Sequence, residues 1–185
     1  MTTVAYQGEP GSYSEEAVWR RFAGEGVRGL PCATFDEAAR AVAEGRADLV
    51  LLPVQNTLAG PIEDAKRAAA DAGLTEQRGF WLAIEHCLIG HLDAALSDIR
   101  RIHSQQAALD QCREYLEGLG VELVAEEDTA GAVRKVKESG DKAAAAIGSA
   151  RAAAKHGMQV LARGVQDAGD NRTRFVLYAR ARVHK

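Results

Sequence analysis

Short apolar runs alternate in this chain with alanine-rich stretches of helical period, and that alternation leaves few folds open. The run Asp48-Leu49-Val50-Leu51-Leu52-Pro53 is too short for a typical helix and nearly all apolar, as expected of a strand covered on both faces. An α/β chain built on largely parallel strands follows from the pattern. The first cycle reads as a strand over residues 4–7, a turn through Gly8-Glu9-Pro10-Gly11, and a helix over residues 14–22 with Ser12 and Glu15 spaced as a capping box. Thr34 and Glu37 repeat that spacing before a second helix, and a third follows Gly60 through the alanines near residue 70. A second cycle places strands at residues 80–89, 99–103, 121–125 and 143–147. Ser104 or Gln105 caps a helix ending near Gly118, Thr129 starts another, and Gly148-Ser149 opens a last one that stops at Lys155-His156-Gly157. The strand after Asp170 returns to the first lobe. The expected architecture is two α/β lobes in one compact unit, residues 1–77 with 166–185 and residues 78–165.

A chain of 185 residues can bury a substantial core. Its net charge of −3, with both signs interspersed, gives no nucleic-acid footprint and no polybasic membrane anchor. No apolar segment approaches the ~20 residues that span a bilayer. The start, Met1-Thr2-Thr3-Val4-Ala5-Tyr6, lacks the sections of a signal peptide, so a cytoplasmic location is expected. Cys32, Cys87 and Cys112 are odd in number and form no Cys-x-x-Cys pair, which points to packing in a reducing compartment. The histidines at 86, 91, 103, 156 and 184 show no ligand spacing, so no metal site is expected.

Candidate chemistry concentrates at strand ends. Asn171-Arg172-Thr173-Arg174-Phe175 opens a strand-like run with two arginines flanking a hydroxyl. Four strand-to-helix junctions are unusually polar: residues 8–14, 53–60, 103–106 and 127–132. In the second, Gln55-Asn56-Thr57 places three amide or hydroxyl side chains directly after a buried strand, where open α/β sheets bind ligands. Each junction alone fits an ordinary capped turn. Together they would ring a cleft with hydroxyls, amides and helix N-termini, with Arg174 as fixed charge, and suit a small dianionic organic acid bound without metal or nucleotide.

These pieces resemble the prephenate dehydratase family. They are Val4-Ala5-Tyr6-Gln7-Gly8 with Gly11-Ser12-Tyr13-Ser14, residues 53–60 and 103–112, Asp128-Thr129-Ala130, and Gln166-Asp167 with residues 171–175. The resemblance implies two lobes of periplasmic-binding-protein type II with a ligand cleft between them, no cofactor, prephenate as small-molecule partner, and a homodimer. Two departures stand out: Gln55 replaces the usual carboxylate, and the chain stops at Lys185, before the ACT regulatory domain that typical members carry, so none is expected.

The implied reaction is decarboxylating dehydration of prephenate to phenylpyruvate. Thr173 would give the leaving oxygen a hydrogen bond or a proton, and Arg174 would hold a substrate carboxylate. Ser12, Gln55, Asn56, Thr57, Ser104, Gln105 and Thr129 would bind and orient the substrate, with Phe175 packed beneath. Rival readings are arogenate dehydratase, a non-aromatising prephenate decarboxylase, and a catalytically silent small-acid-binding or regulatory homologue.

Overall fold

The computed structural model describes residues 1–181. In chain order the elements are β1 (Thr2–Gln7), α1 (Tyr13–Arg21), β2 (Val27–Cys32), α2 (Phe35–Ala43), β3 (Leu49–Asn56), the short β4 (Gly60–Pro61), α3 (Glu63–Asp71) and β5 (Leu74–Ala83). There follow β6 (Cys87–Gly90), a 3-10 turn at Leu96–Asp98, β7 (Arg101–Gln105), α4 (Gln106–Gln111), α5 (Arg113–Leu119) and β8 (Glu122–Glu126). The chain continues through α6 (Thr129–Ser139), β9 (Ala144–Gly148), α7 (Ala150–Lys155), β10 (Gln159–Ala162) and β11 (Arg172–Arg180). Two compact units result. One comprises Met1–Glu9, Tyr13–Ala83 and the chain from Asp170; the other comprises Pro10–Ser12 and Ile84–Gly169.

The first unit holds a sheet of order β2-β1-β3-β11-β5, with β4 paired to β3. β1 runs parallel to β2 and β3, whereas β11 enters antiparallel between β3 and β5. The returning C-terminal strand is therefore central to this sheet. Val50, Leu52 and Val54 of β3 and Val176 of β11 bury against Ala38, Ala41 and Val42 of α2 and Ala65 and Ala69 of α3. Each such aliphatic side chain contributes about 1.5–3 kcal/mol by leaving water. The capping signature read at Thr34 is present: its hydroxyl accepts from Glu37 N at 3.1 Å, while Glu37 Oε2 accepts from Ala33 N at 2.8 Å.

The second unit has the order β10-β6-β9-β7-β8, parallel at β7–β8 and β7–β9 and antiparallel at β6–β9 and β10–β6. The alanines of β9 make sense here. Ala144 and Ala146 pack under Val133 and Val136 of α6, while Ala145 and Ile147 face Ile102 of β7 and Leu109 of α4.

Several expectations change. The sheets are mixed rather than largely parallel. Residues 80–89 are not one strand: β5 ends at Ala83 in the first sheet and β6 begins at Cys87 in the second. The units accordingly change at 83/84 and 169/170, not at 77/78 and 165/166. β2 and β10 were not anticipated, and β3 runs on through Asn56 instead of ending at Pro53. The helix expected to run to Gly118 breaks at Cys112 into α4 and α5; Gln105 stands at the N-cap of α4, as one of the two candidates expected there, but makes no side-chain capping hydrogen bond.

Candidate active site

An irregularity in β3 decides which side chains meet in the first unit. Thr173 of β11 pairs with Asn56 and Arg174 with Gln55, but Phe175 pairs with Pro53, so Val54 is an extra residue in the ladder. Such a bulge re-aims the side chains that follow it. Without it, strict alternation from Pro53 would send Gln55 to the face of Thr173 and Phe175 and turn Asn56 away. With it, Asn56 shares that face.

Asn56 and Thr173 are both buried, at 8% and 7% exposure, and bonded to each other. Asn56 Nδ2 donates to Asn171 Oδ1 at 2.9 Å and to Thr173 Oγ1 at 3.0 Å, with Arg172 O also near at 3.2 Å. Asn56 Oδ1 accepts from Leu58 N and Ala59 N, both at 2.9 Å, which fixes the amide's orientation. Thr173 Oγ1 thus has one lone pair occupied. Among the described residues its proton meets no acceptor, so the hydroxyl is held as a donor. Thr57 does a different job. Its hydroxyl donates to Asp170 O at 2.8 Å and accepts from Arg172 N at 2.9 Å, clasping the mouth of β11. Its one proton is already used.

Arg174 is not brought to Thr173. Consecutive strand residues face opposite ways, and the Arg174 guanidinium lies over Gly79, where a Cβ would stand 3.2 Å from Nε. Its Nη2 lies 3.6 Å from Glu76 Oε1. The exposed Gln55 is its register partner on that same face. Phe175 returns to the face of Thr173, buried and stacked on Phe80 with centroids 6.2 Å apart.

In the second unit the predicted hydroxyls gather at the carboxyl ends of β7 and β9. Ser104 is fully buried and its Oγ donates to Ile147 O at 2.8 Å. Thr129 is the first residue of α6, whose cap is Asp128, accepting from Gly131 N at 2.7 Å. Among the described residues the Thr129 hydroxyl and the Gln105 amide engage no protein group, which leaves both available to a ligand. Ser12 belongs to this unit by way of the Pro10–Ser12 segment. Beside Ser104, His103 Nδ1 lies 3.0 Å from Glu126 Oε1, and the Lys135 ammonium, then His103, holds the Glu126 carboxyl below its usual range.

Sequence reasoning missed two groups here. Asn171, buried at 3%, is the acceptor that orients Asn56. His86, also buried, donates its backbone N–H to Gln166 Oε1 at 2.9 Å, and its ring Nε2 lies 2.7 Å from Gln111 Oε1. Burial lowers the His86 pKa and so keeps the ring neutral. The sequence signals were Asn171 at the head of the 171–175 run and the Gln166-Asp167 pair, both noted without their partners.

The sequence model of the family described as prephenate dehydratase matches residues 4–182. The chain belongs to that family. It is 42% identical over 177 residues to a bifunctional N-acyl-homoserine lactone acylase/prephenate dehydratase of Komagataeibacter europaeus, covering 96% of this chain and 62% of that one. It is 36% identical to arogenate dehydratase/prephenate dehydratase 2 of Arabidopsis thaliana, covering 96% and 46%. The structure of prephenate dehydratase from Arthrobacter aurescens in complex with L-Phe superposes with a TM-score of 0.89 at 28% identity, covering 98% of this chain and 61% of that one. A nutrient binding protein from Burkholderia cenocepacia bound to methionine shares the fold alone, with a TM-score of 0.50 at 12% identity over 96% of this chain and 84% of that one. This agrees with the periplasmic-binding-protein type of fold expected from the resemblance. The chain spans about half to two thirds of the length of the family relatives it matches.

Proposed function

We propose that this chain catalyses the decarboxylating dehydration of prephenate to phenylpyruvate. The observation that carries the reading is the buried Asn56–Thr173 pair, in which an amide donates into the threonine oxygen at 3.0 Å and leaves its proton for a ligand. In the reaction the carbon–carboxylate bond breaks and its electron pair enters the ring. The ring then expels hydroxide, which takes the Thr173 proton and leaves as water, and the threonine is reprotonated from solvent. A threonine is a weak acid, so the drive comes from aromatisation, and the residue's task is to hold one donor still in a site shielded from water. Asn171 and Asn56 orient that donor and Phe175 forms the apolar floor on the same face. Ser12, Ser104, Gln105 and Thr129 of the second unit are assigned to substrate binding.

Arg174 and Gln55 take another part in this reading. They brace β11 and β3 from the opposite face, and the carboxylates of the substrate are left to hydroxyl, amide and backbone N–H donors. The setting we propose is a homodimer in the cytoplasm, supported as to compartment by three buried free thiols at Cys32, Cys87 and Cys112. Among the described residues no helix is long and apolar enough to cross a membrane.

Incubation with prephenate, following carbon dioxide and the ultraviolet spectrum of the aromatic keto acid, tests the reaction. Both products are expected. Carbon dioxide without the keto acid means a decarboxylase, and neither means a binding protein. Parallel arms with arogenate and with an N-acyl-homoserine lactone address the second activities named in the two relatives above.

A further inference from the structure

Ser149 is used twice and the reading above uses it not at all. Its hydroxyl accepts from Ala152 N at 3.0 Å, capping α7, and donates to Gly11 O at 2.7 Å, across 138 residues of sequence. The side chain is buried at 2% exposure, so both bonds are shielded from water. Gly11 is pressed against the same turn. Its φ is +97°, and a Cβ there would lie 2.9 Å from Ala152 Cα and 3.1 Å from Ala152 Cβ. Only glycine permits this approach of backbone to backbone.

The neighbours of Ser149 anchor the other candidate binding groups. Ile147 O receives the Ser104 hydroxyl, and Gly148 lies against α6 so closely that a Cβ would stand 2.9 Å from Val133 Cγ2 and 3.5 Å from Thr129 O. Three consecutive residues, Ile147-Gly148-Ser149, therefore set the places of Ser104, Thr129 and the loop that carries Ser12. We propose that this segment is the positioning frame of the substrate-binding set, and that Ser149 is a positioning residue that clips the Gly8–Ser12 loop through the Gly11 carbonyl. The proposal rests on the dehydratase reading for its kinetic test, and on the structure alone for its exchange test.

Ser149→Ala removes both bonds; Gly11→Ala leaves the α7 cap and displaces only the loop. Both variants are expected to lower kcat/KM on prephenate about 10–100-fold, mostly through KM, as displaced binding groups do. Ser149→Thr, which can cap and donate, should recover most of the loss. The double variant should lose little more than either single, because both break one contact. Hydrogen exchange read by mass spectrometry should rise in peptides covering residues 8–13 in both single variants and stay unchanged across β7 and β9. Unchanged exchange at residues 8–13, additive losses, or exchange that rises evenly over the second unit would overturn the positioning role. A wild-type protein inert toward prephenate would overturn the dehydratase reading instead, and the exchange arm would still decide the clip.

Discussion

The two groups of candidate site residues are held in place by different means. Those of the first unit ride on paired strands: Asn56 and Thr173 face each other across the β3–β11 ladder, and a single inserted residue at Val54 decides that they do. Those of the second unit sit where strands end and helices begin. There Ser104 and Ser149 spend their hydroxyls tying one backbone segment to another, while among the described residues the Thr129 hydroxyl and the Gln105 amide stay unspent. A ladder can present one proton donor with little freedom to move, which suits the step that needs direction. Strand ends present several groups at once, which suits recognition. The difference predicts that damage in the first unit appears in kcat, and damage in the second in KM.

The hardest test of that division is Thr173→Ala. Loss of one positioned donor should reduce kcat about 10²–10³-fold with KM little changed. Steady-state kinetics on prephenate check it, and a variant within a factor of a few of wild type would remove Thr173 from the chemistry. Asn56→Asp comes next. The acid keeps an acceptor for Leu58 N and Ala59 N but replaces the group that donates to Thr173 and Asn171. A carboxylate there would face the Asn171 acceptor and draw the Thr173 proton to itself, which should cost about 1–3 kcal/mol of stability and about 10–100-fold in kcat. Denaturant melts beside kinetics separate the two losses.

How far the sequence carried the site depends on how local each cause is. Thr34 and Glu37 lie three residues apart, so their cap was readable in full. Thr173 and Asn56 were readable as polar groups at strand mouths, but not as partners, because 117 residues separate them and the bulge that pairs them has no signature in Val54 itself. Arg174 was read with Thr173 because they are adjacent; a strand sends adjacent side chains to opposite faces. The first half of β5 escaped notice because Thr75-Glu76-Gln77-Arg78 is exposed and polar. Gly148-Ser149 was read as the opening of a helix, and Ser149 does cap α7; its second bond depends on Gly11 arriving from the far end of the sequence.

A smaller effect concerns His86, which joins Gln166 and Gln111 inside the second unit. Burial lowers its pKa below the ordinary 6.5, so the unfolded chain binds the extra proton first. Between the folded value and 6.5 the unfolded state carries more protons, and stability must fall as pH falls through that window. Thermal melts at stepped pH should show this loss beginning near pH 6.5, and His86→Gln should flatten that part of the curve. An unchanged slope in the variant would remove His86 from this loss; carboxylates such as Asp141 and Glu126, whose pKa values are lowered from 3.8 and 4.5, lose their contribution only at lower pH.

The smallest expected change is Gln55→Glu, and it bears directly on the bulge. If Gln55 shared the face of Thr173, a carboxylate there would meet the substrate and change kcat strongly, in one direction as a restored acid or base and in the other by repelling an anion. The ladder instead pairs Gln55 with Arg174, whose guanidinium already lies 3.6 Å from Glu76. A glutamate at 55 would join that half-exposed pair as a third charge across the strands. Cross-strand pairs of this kind contribute about 0.2–1 kcal/mol, and exposure keeps the gain at the lower end. The expected result is a kcat on prephenate within about threefold of wild type and a slight rise in melting temperature that added salt removes. Arg174→Gln should abolish the rise and leave kcat similarly unmoved. A rate change of tenfold or more in Gln55→Glu, of either sign, would mean that residue 55 reaches the reacting group, and the face assignment made from the Val54 bulge would be wrong.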